Sequence, residues 1–110
     1  MPKEPPPVVD RYFEHDANRD IDAIVALLTD DATVIDEGVT RRGIPDIRDW
    51  QSGAVSKYQY TATVTGGEPT GPDSYRALAR LDGNFPGNTV ALKFDFTIRG
   101  EQITRLKIAP

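Results

Sequence analysis

The sequence predicts an α+β domain in which three helices come first and a mostly antiparallel sheet follows. In the first half of the chain, apolar side chains recur every three or four positions, which is typical of amphipathic helices. After residue 57 the period changes to two, and the clearest strand places Val90, Leu92, Phe94, Phe96 and Ile98 on one face. Because the helices precede the strands, the order favours α+β over a parallel α/β fold.

Stripes of apolar residues at helical spacing, together with capping residues, define the three predicted helices. Asp20 is the expected N-cap of the second helix, and Pro45 suits the first turn of the third. Residues 37–43 are expected to form a polar loop. The predicted helices span 6–17, 21–28 and 45–54, and a short strand is predicted at 32–36.

The second half is expected to fold into four strands with one apolar face. The first of them places Tyr58, Tyr60, Ala62 and Val64 on that face, and the Gly- and Pro-rich stretch 66–72 is expected to end it as a loop. The apolar face of the sheet is expected to hold the helices. The opposite face carries charges and threonines, and is either solvated or an interface in a dimer.

Length and composition exclude several classes of protein. The chain has 110 residues, no cysteine, one histidine and a net charge of -4, which indicates one domain at 8–110 after a flexible Pro-rich tail at 1–7. Disulfides, thiolate metal sites and multi-histidine sites are therefore excluded. The acidic balance argues against nucleic acid or anionic membrane as partner. The longest apolar run, Ala23 to Leu28, is too short for a membrane span, and without a signal-peptide core a cytoplasmic location is expected.

Residues 11–38, with the sequence RYFEHDANRDIDAIVALLTDDATVIDEG, resemble the opening of nuclear transport factor 2-like (NTF2-like) domains. Within that superfamily the chain is similar to the SnoaL-like proteins and to ketosteroid isomerase. The later segments TRRGIPDIRDW, KYQYTATV, NFPGNTVALKF and ITRLKI extend the resemblance over residues 8–108. The resemblance implies a cone, in which a strongly curved antiparallel sheet wraps three helices and leaves a deep, mostly apolar pocket. It also implies a homodimer formed through the sheet.

The resemblance to ketosteroid isomerase implies roles for individual residues. The family's catalytic aspartate corresponds to Asp36, and its oxyanion-stabilising tyrosine corresponds to Tyr12. Phe96 stands where the family has a second donor, a protonated aspartic acid. The tyrosines that support the oxyanion tyrosine are replaced by Gln51 and Leu28.

Asp16 is a further candidate for ligand binding, because it lies one helical turn after Tyr12 and can share its face. If Asp16 points inward, Asp16 and Asp36 form a carboxylate pair suited to water activation or epoxide opening. The alternative is a solvated residue near the end of the helix. Arg41 and Arg42 are expected to be solvated charges that pair with Asp36, Glu37 or Asp46.

Four aromatic residues are candidates for the wall of a ligand pocket, although any core uses the same residue types. They are Trp50, Tyr75, Phe94 and Phe96.

The sequence therefore predicts a protein that binds a small apolar or carbonyl-bearing molecule. Asp36 is expected to move a proton next to the carbonyl while Tyr12 polarises the oxygen, without a metal or other cofactor. The alternatives are a non-enzymatic ligand-binding or dimerisation module of the same fold, and an enzyme that activates water as epoxide hydrolases do.

Overall fold

A computed structural model of the chain describes residues 5–55, 59–84 and 87–110. Tyr58 and residues 1–4 of the predicted tail lie outside the described part. In chain order the elements are α1 (Pro7–Ala17), α2 (Ile21–Ala26), β1 (Leu28–Asp36), β2 (Val39–Arg42), α3 (Ile44–Trp50), a π-helical turn (Gln51–Val55), β3 (Tyr60–Gly71), β4 (Ser74–Gly83), β5 (Thr89–Arg99) and β6 (Gln102–Ala109).

The strands form one curved sheet of six strands in the order β2-β1-β6-β5-β4-β3. Neighbouring strands are antiparallel, except that β1 and β6 run parallel. The α+β class and the cone of helices and curved sheet are confirmed, although the sheet is mixed and not wholly antiparallel. The last strand, β6, lies between β1 and β5 in the sheet. Because β1 and β6 are far apart in the chain and are not joined by a hairpin, they can pair in parallel.

The helices pack against the inner face of the sheet, where the predicted alternation of β4 and β5 is confirmed. Ala77 of β4 lies opposite Phe94 of β5, and Tyr75 lies opposite Phe96. All four are buried in the same core as the inner stripe of α1. Among the described residues, no helix has the length and apolar character needed to cross a membrane.

Strand β1 is longer than predicted, and the expected loop at 37–43 contains a strand. Helix α2 ends at Ala26 because the next residues join the sheet, where Leu28 lies opposite Ile103 of β6. Glu37 and Gly38 both have positive φ, 54° and 76°, and they connect Asp36 to Val39 in a two-residue hairpin. Positive φ at both central positions is typical of a type I′ turn. The hairpin was not predicted because Glu-Gly is a weak form of its usual Asn-Gly or Asp-Gly signal.

Strand β3 continues to Gly71 through the stretch that was expected to form a loop. A register shift between Val64 and Gly66 breaks the alternation, and leaves Val64 exposed. Pro69 is tolerated because β3 is at the edge of the sheet and needs no partner on its outer side. Gly67 is required for packing, since a Cβ there would overlap the ring of Tyr75.

Candidate functional site

Helix α1 carries two polar side chains into the interior. Its stripe of apolar residues faces the sheet, and Tyr12 and Asp16 lie on that stripe one turn apart, with only 2% and 7% of their surface exposed. The inward orientation of Asp16 rules out the alternative of a solvated helix residue. The interior therefore holds a carboxyl group next to a phenol hydroxyl.

Asp36 ends β1, and Trp50 at the end of α3 contacts it. The indole Nε1 of Trp50 donates a hydrogen bond of 3.1 Å to Oδ2 of Asp36, so Trp50 orients the carboxylate. Burial raises the pKa of Asp36, the Trp50 bond opposes this shift, and the neighbouring Glu37 adds to it. A carboxylate with a raised pKa is a better proton acceptor, which suits a general base.

Asp16 is bound by a tyrosine from the edge strand. The hydroxyl of Tyr60 in β3 lies 3.1 Å from Oδ1 and 2.9 Å from Oδ2 of Asp16, and donates its proton to the carboxyl group. Burial raises the pKa of Asp16, while the Tyr60 bond and the charge of Arg19 oppose the shift. Burial and the adjacent Asp16 raise the pKa of Tyr60, so Tyr60 keeps its proton and remains a donor.

The hydroxyl of Tyr12 lies within the electrostatic influence of both carboxyl groups. Burial raises the pKa of Tyr12 well above its ordinary value, nearby Asp16, Tyr60 and Asp36 add to the shift, and a hydrogen bond with Gln51 opposes it. Both carboxyl groups therefore act on this one hydroxyl. Tyr12 stays protonated at neutral pH and can donate a hydrogen bond to an oxygen atom.

The aromatic candidates divide between two regions. The ring of Tyr12 packs edge-on against Phe96 at 5.5 Å between centroids, and contacts Phe94 at 6.4 Å. Tyr75 instead lies near Asp10, whose charge contributes to its raised pKa after burial. It lines a surface depression of about 310 Å³ together with residues such as Pro69 and Ile98. The rings of Phe94 and Phe96 thus contact Tyr12, while Tyr75, opposite Phe96 in the sheet, extends the same core to this depression.

Arg41 lies closer to the interior than the sequence analysis predicted. It lies opposite Val34 in the β1–β2 hairpin, and so shares the inner face of the sheet. Its charge acts on Asp36, and its buried Nε has no hydrogen-bond partner among the described residues. Arg41 is therefore partly buried rather than fully solvated, although its charge acts on Asp36 as expected. Arg42 is exposed, as expected.

The sequence analysis did not select Tyr60 or Arg19, which act on Asp16, and it named Gln51 only as a replacement for a family tyrosine. Alternation did place Tyr60 on the apolar face of its strand, and a tyrosine hydroxyl in a core needs a polar partner. That signal identifies Tyr60 as a polar group in the interior, but not Asp16 as its partner. Among the described residues, no group of three or more His, Cys, Asp or Glu side chains could hold a metal ion.

Solved structures with this fold place the chain in a family. A Sinorhizobium meliloti protein, provisionally assigned as a polyketide cyclase, is 34% identical, with a TM-score of 0.89 over 96% of this chain and 95% of the other. No protein-family model matches the chain, and no curated protein matches it either. The chain belongs to the NTF2-like/SnoaL-like superfamily.

Two more distant structures share the fold and contain small molecules. A Catenulispora acidiphila protein with a ketosteroid isomerase-like fold, in complex with trimethylamine, is 21% identical with a TM-score of 0.82, over 97% of this chain and 87% of the other. A Mycobacterium tuberculosis protein in complex with estradiol-17β-hemisuccinate is 16% identical with a TM-score of 0.79, over 94% and 90% of the two chains.

Proposed function

We propose that the protein binds a small apolar cyclic molecule and transfers a proton next to its carbonyl group, without a cofactor. The observation that carries the proposal is that Tyr12 and Asp16 are buried on one face of α1, while Trp50 orients the partly buried carboxylate of Asp36. Support also comes from the provisional polyketide cyclase assignment of the 34% identical relative. The steroid derivative bound by a more distant relative is a molecule of the proposed kind.

In the proposed reaction, Asp36 is the base and Tyr12 stabilises the charge that develops. The C–H bond next to the carbonyl breaks, its proton moves to the Asp36 carboxylate, and the electron pair moves onto the carbonyl oxygen as an enolate. Tyr12 donates a hydrogen bond to that oxygen, which is most effective in a site without water. Return of the proton to a different carbon completes an isomerisation. Trp50 holds the carboxylate in place throughout.

A direct test uses a cyclic β,γ-unsaturated ketone, since its isomerisation produces a conjugated enone that is followed by absorbance. Asp36→Asn removes the base and keeps an oxygen that accepts the Trp50 bond, so the rate is expected to fall by about 10²–10⁴-fold. Tyr12→Phe is expected to lower it by about 10²–10³-fold. Asp49→Asn, at an exposed position of α3, is the matched control and should leave the rate unchanged. Turnover that survives Asp36→Asn would overturn the assignment of the base.

Epoxide opening by activated water is the second candidate, and the burial of Asp16 favours it. Asp36 would take a proton from water while the oxygen attacks the epoxide carbon, and a protonated Asp16 would give its proton to the leaving oxygen. Arg41 would stabilise the carboxylate of Asp36, on which its charge acts. Formation of a diol from a cyclic epoxide, lost in Asp16→Asn, is the result that would select this reaction.

The non-enzymatic alternative is a binding module that uses the same residues. Phe96, 1% exposed against the ring of Tyr12, offers no hydrogen bond where the family has its second donor. Native mass spectrometry of the purified protein would detect a co-purified ligand. A bound apolar molecule together with no turnover of ketone or epoxide would select this alternative.

A further inference from the structure

Helix α1 ends in a backbone conformation that an arginine rarely adopts. Arg19 has a φ of 55°, and the N–H groups of Arg19 and Asp20 donate to the carbonyls of Asp16 and His15 at 3.1 and 3.0 Å. This is the Schellman pattern, in which the left-handed position is usually glycine. A non-glycine residue there costs free energy, so it persists where its side chain makes other contacts.

The side chain of Arg19 makes such a contact, and it leads to Asp16. The guanidinium carbon lies 4.4 Å from the centroid of the Tyr60 ring, within the range of a cation–π interaction. The hydroxyl of the same tyrosine donates to both oxygens of Asp16, at 2.9 and 3.1 Å. A cation at the surface is thus connected through one aromatic side chain to a carboxyl group in the interior.

We propose that Arg19 is a positioning residue of the proposed site, which holds Tyr60 against Asp16 and keeps Asp16 a carboxylate at neutral pH. The inference rests on the proposed function for its role in catalysis, but the state of Asp16 is measurable without a ligand. The protonation state of Asp16 also distinguishes between the two candidate reactions, proton transfer and epoxide opening. A carboxylate at Asp16 accepts hydrogen bonds and cannot give a proton to an epoxide oxygen, so it favours proton transfer by Asp36.

Two side chains act directly on Asp16, and two further titratable groups lie near it. Arg19 follows α1 and contributes a positive charge, and Tyr60 of β3 contributes a hydrogen bond. Tyr12, one turn earlier in α1, is protonated, and Asp36 of β1 acts on that same hydroxyl. Arg19 and Tyr60 both lower the pKa of Asp16 against the effect of burial, so loss of either should make Asp16 hold its proton more tightly.

The test is a carbon-13 NMR titration of the Asp16 side-chain carboxyl, assigned by its absence in Asp16→Asn. In the parent protein the midpoint is expected below pH 7. Arg19→Gln removes the charge and keeps a side chain of similar length with the same backbone cost. It is expected to raise the midpoint by about half a pH unit or more. Tyr60→Phe should also raise the midpoint of Asp16, because it removes the hydroxyl that donates to the carboxylate and keeps the ring that Arg19 contacts.

Arg19→Lys is the matched control, because it keeps the charge and loses the planar group that stacks on Tyr60. Its midpoint should lie between those of the parent and Arg19→Gln. An Asp16 midpoint above pH 7 in the parent, or one that Arg19→Gln leaves unchanged, would overturn the inference. If the midpoints move as expected and the protein neither binds nor converts a cyclic ketone, the proposed function fails and the control of Asp16 by Arg19 stands.

Discussion

At the scale of single residues, the site depends on carboxyl groups placed where they are poorly solvated. Burial is the largest cause of the raised pKa of both Asp16 and Asp36. An ionised carboxylate in such a place opposes folding, and proteins retain such groups mostly where function requires them. The stability of the protein therefore reports on the state of these groups.

Asp36→Asn is expected to raise the melting temperature at neutral pH. The folded state holds the Asp36 proton more tightly than the unfolded state, whose pKa is near the ordinary value of 3.8. Stability therefore falls as the pH rises from 3.8 through the folded-state pKa, and stays lower above it. Asparagine removes this cost and keeps an oxygen for the Trp50 bond. Thermal unfolding at pH 7 measures the gain.

The same comparison below pH 3.8 provides the internal control. Asp36 is then neutral in both states, so the advantage of asparagine should disappear. Asp49→Asn, on the exposed side of α3, should change the melting temperature little at either pH. A lower melting temperature for Asp36→Asn at pH 7 would mean that the carboxylate acts mainly as a structural acceptor, and would remove it from the catalytic role.

At the scale of elements, β3 is the strand that closes the interior, because it carries Tyr60 to Asp16. Its course depends on Gly67, which lies opposite Ala77 in β4. A Cβ at residue 67 would lie 2.7 Å from the backbone oxygen of Arg76 and 2.8 Å from a ring carbon of Tyr75. The backbone oxygen cannot move away as the end of a flexible side chain can, so a methyl group at this position has no space.

Gly67→Ala is therefore expected to destabilise the protein by about 1–3 kcal/mol, the usual cost of overpacking. Chemical denaturation measures the loss as a lower midpoint. Gly66→Ala is a closely matched control in the same strand, because its Cβ would meet only Leu78 at 4.0 Å, which is ordinary contact. Equal losses in the two variants would mean that strand propensity, and not contact with Tyr75, sets the requirement.

The sequence predicts those elements whose period stays constant along their length. Alternation over Tyr75 to Leu81 and over Val90 to Ile98 assigned the inner faces of β4 and β5 correctly, because every second side chain enters one core. Strand β3 was cut short in prediction, since a register shift and Gly67 hide its pattern. The periodicity of one strand's own sequence does not reveal a register shift, because the shift is defined by how that strand pairs with its neighbour.

The candidate site divides in the same way. Tyr12 and Asp36 were selected through the resemblance, and their catalytic roles remain predictions. The period of α1 allowed Asp16 to point inward without requiring it. The contact between Tyr60 and Asp16 joins residues 44 positions apart, and exists only because β3 closes over α1. The spacing of residue types along the sequence does not show that Tyr60 and Asp16 meet in the folded chain.

At the scale of the whole molecule, the outer face of the sheet differs in charge from the rest of an acidic chain. The inner face is covered by the helices, and the outer face carries an ion pair in which Arg76 donates to Asp95 at 2.6 and 3.2 Å. Leu78, 39% exposed, lies on this face, opposite Gly66 and Lys93. Basic side chains outnumber acidic ones at the outward positions of β4, β5 and β6. Arg76, Arg80, Lys93, Arg105 and Lys107 lie there together with Asp82 and Asp95, which pair with Arg80 and Arg76.

We propose that two copies associate through this outer face, as the resemblance implies, with Leu78 at the contact. Association brings basic surfaces together, so raising the salt concentration should strengthen the dimer by screening their repulsion. Leu78→Lys replaces an apolar contact with another like charge, and should weaken association by about tenfold or more. Light scattering during gel filtration, over a range of protein and salt concentrations, measures both effects.

Val64→Lys is the matched control for that experiment. Val64 is exposed to a similar extent, 47%, but it lies opposite Ala79, whose side chain is in the core, and so belongs to the inner face. A dimer built on the outer face should therefore tolerate lysine at residue 64 and not at residue 78. Equal weakening by the two variants would place the contact at the β3 edge of the sheet, where either side chain can reach a partner. A monomer at every concentration would mean that the outer face is a solvated surface, as its ion pairs also allow.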